Sequence, residues 1–128
     1  MNNDSLRGRK ILIVEDDYSS RLYLNKILEK SGVVLFNAAN GQEAVDTVFD
    51  NPDIDIVLMD IQLPVMDGYK SAEEIRKIRD NIVIIAQTAY GLMGHKDKII
   101  ESGFDDYIIK PIVHETLLGK LRTHLPEK

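Results

Sequence analysis

The chain has 128 residues, enough for one domain around one core. Its 44% apolar content excludes a disordered chain, and a net charge of −5 with no run of Lys or Arg argues against a nucleic-acid surface. It has no cysteine, hence no disulfide and no thiolate metal site, and no apolar run approaches the roughly 18 residues of a membrane span. The polar start (Met1, Asn2, Asn3, Asp4, Ser5) lacks the apolar centre of a signal peptide, so the expectation is a soluble cytoplasmic domain.

The first strand is expected over 11–14, Ile-Leu-Ile-Val, and runs straight into Glu15, Asp16 and Asp17. Leu24, Ile27 and Leu28, three and four apart, mark the first helix. A second strand follows over 33–38. Asn40-Gly41 opens a second helix marked by Ala44, Val45, Val48 and Phe49. The third strand, 54–59, leads into Asp60. A turn from Pro64 through Gly68 then starts a helix carrying Ala72, Ile75 and Ile78. The fourth strand, 82–87, is followed by Thr88. A weaker helix over 95–102 stops at Gly103, a helix-ending residue. The fifth strand, 106–109, precedes Lys110-Pro111, and Leu117, Leu118, Leu121 and Leu125 mark the last helix.

This is βα repeated five times. Strands that are nearly continuous in apolar residues suit a parallel sheet buried on both faces. Right-handed crossovers then place helices on both sides. The expected fold is α/β: a doubly wound, five-stranded parallel sheet with five helices, filling one domain over 1–128 with its core at about 9–125. Ligands of such sheets bind beyond the carboxyl ends of the strands, where the strand order reverses. In the order 2-1-3-4-5, the first and third strands flank that point, and they carry Glu15, Asp16 and Asp60.

Carboxylates do not gather for stability. Two of them about 4 Å apart repel by roughly 4 kcal/mol at a near-surface dielectric, unless a proton or a cation intervenes. Thr88 and Lys110 arrive at the same edge from the fourth and fifth strands. Several carboxylate oxygens suit a hard divalent ion, and Mg²⁺ commonly binds one or two carboxylates plus a phosphoryl group. A carboxylate, a divalent ion, an ammonium and a hydroxyl around one point are the parts of a phosphoryl-transfer site. Plainer roles exist for each residue alone. An acid after a strand is commonly a helix cap, which suffices for Asp17. Tyr107 suits a core aromatic, and Asp53, Asp55, Asp105 and Asp106 suit solvated surface. His95, His114 and His124 lack metal-ligand spacing and read as surface residues.

The segments ILIVEDD, NGQEAVD, IVLMDIQLPVMDGY, AQTAY and DDYIIKPI together resemble the receiver domain of two-component response regulators, in family order and spacing, from about Arg9 to about Leu125. The set is most similar to receivers attached to hybrid sensor histidine kinases. The resemblance implies a flavodoxin-like fold and a role in a phosphorelay. It makes Asp60 the phosphoacceptor, fed by a histidine kinase or a histidine phosphotransfer domain. It implies Mg²⁺ (or Mn²⁺) held by Glu15, Asp16, Asp60 and the backbone carbonyl of Gln62. It makes Thr88 the switch hydroxyl, Tyr107 the switch aromatic and Lys110 the phosphoryl-binding cation, with a cis bond before Pro111. It also implies a homodimer through the fourth helix, fifth strand and fifth helix, and no direct contact with nucleic acid or membrane. Glu15 stands where the family often has Asp. Tyr90, two residues after Thr88, is bulky and is expected to shield an acyl phosphate from water. Gly91 and Gly94 suggest a looser start to the fourth helix. The rival is a hydrolase of the haloacid-dehalogenase type, which also uses an Asp nucleophile with Mg²⁺. It requires a second Asp two residues after the first, where this chain has Gln62.

Overall fold

The computed structural model describes residues 5–89 and 96–126. Tyr90, Gly91, Gly94 and His95 lie outside them, so the expectations for these residues are not addressed by the fold. The elements run β1 (Lys10–Val14), α1 (Tyr18–Glu29), β2 (Val34–Ala38), α2 (Gly41–Asp50), β3 (Ile56–Asp60), α3 (Gly68–Ile78), β4 (Val83–Thr88), α4 (Lys96–Glu101), β5 (Asp106–Ile109) and α5 (His114–His124). The strands form one parallel sheet in the order β2-β1-β3-β4-β5. The five-helix α/β architecture is the one expected.

Period-two alternation splits the core into two layers. Leu12, Val14, Val57, Met59, Ile84 and Ala86 face α2, α3 and α4. Ile11, Ile13, Ile56, Leu58, Ile85 and Ile108 face α1 and α5. Both faces being covered explains why β1 and β3 read as unbroken apolar runs.

The strand ends differ slightly from the sequence expectation. Asp60 and Thr88 are the last residues of β3 and β4, rather than the first residues after them. Sheet pairing carries them inside: Asp60 sits opposite Gln87, and Thr88 opposite Ile109. At the other end, Ile54 and Ile82 are buried but precede their strands. α4 ends at Glu101, and Gly103 takes a φ of +98° to turn the chain toward β5.

Helix entries follow local chemistry. Asp17 accepts from the Ser20 amide at 2.8 Å, Asn40 from Glu43 at 2.8 Å and Asp67 from Lys70 at 2.9 Å. The first cap lies immediately after the acids that follow β1, so α1 starts at the site.

Candidate functional site

β1 and β3 are adjacent, so their carboxyl ends bring Glu15 and Asp60 together. Glu15 and Asp60 are buried, and Asp16 is exposed. Oxygens of all three lie within 4.8 Å of one another. Lys110 reaches across from the end of β5. Its Nζ lies 3.0 Å from Glu15 Oε1 and 2.8 Å from Asp60 Oδ2. The other Asp60 oxygen, Oδ1, accepts from the Gln62 amide at 2.9 Å. Gln62 therefore meets Asp60 through its N–H, whereas the sequence expectation concerned its carbonyl. Thr88 is buried at the end of β4, and its carbonyl accepts from the Lys110 amide at 2.8 Å. The Lys110–Pro111 peptide is cis. Tyr107 is half-buried on β5, packed against the α2–α3–α4 layer, with the Lys120 ammonium 5.2 Å from its ring centre.

The electrostatics follow from this geometry. Burial pushes the Glu15 carboxyl above its ordinary range; the hydrogen bond from Lys110 opposes that, and the Asp60 charge adds to it. Burial works against the Lys110 ammonium, but hydrogen bonds to Asp60 and Glu15 outweigh it and raise its pKa. Asp17 is held low by the Ser20 amide, in keeping with its place as a helix cap.

Several site-building residues gave no sign in the sequence. Arg21 on α1 donates to the Glu15 carbonyl at 2.7 Å, and the Tyr23 hydroxyl donates to the Ile112 carbonyl at 2.9 Å. One helix thus ties down both loops that carry the charged groups. Two glycines seat the loop after Asp60. A side chain on Gly68 would come within 2.5 Å of the Asp60 carbonyl oxygen, and one on Gly41 would strike the Met66 carbonyl. Each glycine opens a helix directly after its cap, as Asn40-Gly41 and Asp67-Gly68, and that repeated pair was the available signal.

Of the acids expected to be solvated, Asp53 and Asp105 are exposed, whereas Asp55 and Asp106 are half-buried. Asp55 accepts from the Lys10 amide, and Asp105 from the Ile84 amide, both at 2.8 Å. Asp53 pairs with Lys10. Asp106 accepts from Lys120 at 2.9 Å and faces His124 Nε2 at 3.0 Å. Acids at strand starts meet free amides of neighbouring strands, which composition cannot reveal. Among the described residues no helix is long and apolar enough to cross a membrane.

The donor set fits a hard divalent ion: three carboxylates, and no histidine or cysteine in the cluster. The response regulator receiver domain profile matches residues 11–122. Sporulation initiation phosphotransferase F of Bacillus subtilis is 36% identical over 124 residues, covering 96% of this chain and 98% of that one. Hybrid signal transduction histidine kinase I of Dictyostelium discoideum is 34% identical over 91% of this chain, which spans only 7% of the kinase. The receiver domain of a Pseudomonas aeruginosa sensor histidine kinase, solved with magnesium coordinated in its active-site cleft, superposes with a TM-score of 0.85. It shares 32% identity, covering 92% of this chain and 98% of that one. The receiver domain of Saccharomyces cerevisiae Ssk1, in complex with the histidine phosphotransfer protein Ypd1, superposes at 0.87 with 30% identity, covering 94% and 90%. The chain belongs to the response regulator receiver domain family.

Proposed function

We propose that the described domain, with its core over about 9–125, accepts a phosphoryl group on Asp60 from the phosphohistidine of a histidine kinase or a histidine phosphotransfer domain. One observation carries the proposal: a buried carboxylate at the switch point of the sheet, with an ammonium 2.8 Å away and two further carboxylates beside it. An Asp60 oxygen attacks phosphorus, and the bond between phosphorus and the imidazole nitrogen breaks. The electron pair leaves with the imidazole, which departs neutral when its other ring nitrogen already carries a proton. The Gln62 amide and Lys110 orient the carboxylate before attack. Lys110 then follows the charge onto a phosphoryl oxygen, and its raised pKa keeps it a cation throughout the neutral range.

Glu15, Asp16, Asp60 and the Gln62 carbonyl would hold Mg²⁺ or Mn²⁺. When bound, the ion supplies positive charge to the phosphoryl oxygens. After transfer, the Thr88 hydroxyl turns to a phosphoryl oxygen, and Tyr107 fills the space this opens. The acyl phosphate thereby biases two arrangements of α4 and β5. That face exposes Ile100, Ile109 and Val113, which supports pairing of two copies there.

Incubation of the chain with acetyl phosphate and Mg²⁺, followed by intact-mass analysis, should show one added phosphoryl group on the wild type and none on Asp60→Asn. Equal labelling of both would refute the assignment. The hydrolase alternative finds no support: Gln62 stands where a second acid is needed, and the family is that of receivers. Sustained turnover of small phosphate esters would revive it.

A further inference from the structure

A cavity of about 560 Å³ lies between α1 and the 110–112 loop, a size suited to a small molecule. Leu24, Ala89, Pro111 and Ile112 give it apolar walls, while Glu15 and Lys110 form the side it shares with the acidic cluster. Tyr23 also lines it, and the Tyr23–Ile112 hydrogen bond holds two of its walls together. Gln87, on β4, is the unusual lining residue. It is fully buried at a strand position where its neighbours Ile85 and Ala86 are apolar. Its Nε2 donates to the Leu58 carbonyl at 3.1 Å, but its Oε1 has no hydrogen-bond partner among the described residues. A buried carbonyl without a donor is costly, and an apolar residue of similar size would avoid that cost. Gln87 lines the cavity, so this oxygen is the group that a donor placed there would satisfy, with Nε2 left on the Leu58 carbonyl.

We propose that this cavity is a second binding site, for a small, mostly apolar molecule that presents one N–H or O–H donor to Gln87. An occupant would lie against Glu15 and Lys110 and hold the loop that carries the lysine. Its binding would therefore slow phosphorylation of Asp60, a consequence that rests on the phosphoacceptor reading above.

The probes are indole, a planar apolar molecule with one N–H, and indene, its near-isostere without a donor. Each is titrated into the isotope-labelled 128-residue chain at millimolar concentration. The Gln87 side-chain amide and the Leu24 and Ile112 methyls are followed by NMR. Indole should shift these signals and bind about fivefold or more tightly than indene, the range one hydrogen bond supplies. Gln87→Leu should keep the folded spectrum and erase the difference. Absence of shifts at the cavity, equal binding of the two probes, or an unchanged preference in Gln87→Leu would each overturn the site. Phosphorylation from acetyl phosphate is then timed with the cavity saturated by indole. A slowed rate supports the coupling, and an unchanged rate refutes it. Failure of Asp60 to label without indole would strike the phosphoacceptor reading and leave the NMR result standing.

Discussion

At the scale of single residues, Glu15 makes a prediction about pH. Its pKa is raised in the fold above an ordinary value of 4.5, with burial as the leading cause. The folded chain therefore binds this proton more tightly than the unfolded chain. Stability from this group falls as pH climbs from 4.5 through the raised value, then stays constant. Glu15→Gln keeps an oxygen for Lys110 and removes the titration. Its stability relative to wild type should rise across that window and level off above it, as read from urea midpoints at a series of pH values. A difference that stays flat with pH would dismiss the argument. Lys110 acts at the other end of the scale. Its raised pKa contributes stability that is fully present below the ordinary lysine value of 10.5 and is lost as pH rises through the folded value. Val65 makes a separate case. It is 82% exposed and holds a φ of +68° in the loop after Asp60, a conformation hostile to β-branched residues. Val65→Gly should stabilise the fold by about 1 kcal/mol, the left-handed strain relieved less the entropy glycine adds to the unfolded chain. Urea unfolding measures it, and a destabilised variant would show that the exposed valine contributes contacts.

At the scale of elements, Arg76 joins three of them. From the last turn of α3 its guanidinium donates to the Gly103 carbonyl at 2.7 Å, the Asp80 carbonyl at 2.8 Å and the Ile82 carbonyl, and pairs with Asp105 at 2.6 Å. The fork thus pins the start of β4 and the link from α4 to β5. Arg76→Ala should cost about 2–3 kcal/mol, the range for buried polar groups left without a charged partner. Arg76→Lys should recover little of it, because an ammonium cannot span the same carbonyls. Chemical denaturation of the three proteins decides the point, and a lysine variant as stable as wild type would contradict it. Such links mark where the sequence stopped being informative. The strands and helices were legible because apolar periodicity reports which face is buried, and the acids were legible because they interrupt that periodicity at strand ends. Asp60 and Thr88 were misplaced by one position, since where a strand ends depends on its neighbour's pairing. Arg76, Arg21 and Tyr23 were silent for a related reason. Each acts on a backbone carbonyl, and a carbonyl carries no letter in a sequence.

At the scale of the whole molecule, the acidic edge sets a debt that a bound cation can offset. Glu15, Asp16 and Asp60 crowd their oxygens within 4.8 Å, and among the described residues Lys110 is the ammonium that bridges two of them. Removing Lys110 would leave buried carboxylates facing one another, so the lysine serves the fold as well as the proposed transfer. A divalent ion bound by the folded chain alone must raise global stability by mass action. At a hundred times its dissociation constant the gain is about 2.7 kcal/mol. Asp16 is the acid to test, because it is exposed and outside the core, so Asp16→Asn should fold normally. Without added metal the variant should be at least as stable as wild type, one repulsive charge having been removed. With Mg²⁺ the wild type should gain stability in proportion to the logarithm of the metal concentration, and the variant should need far more metal for the same gain. Thermal melts over a magnesium series, with ionic strength matched by sodium chloride, separate binding at this site from general screening. Parallel curves for the two proteins would mean that Asp16 does not ligate the ion. No gain for either would mean that the three carboxylates share their edge with Lys110 alone.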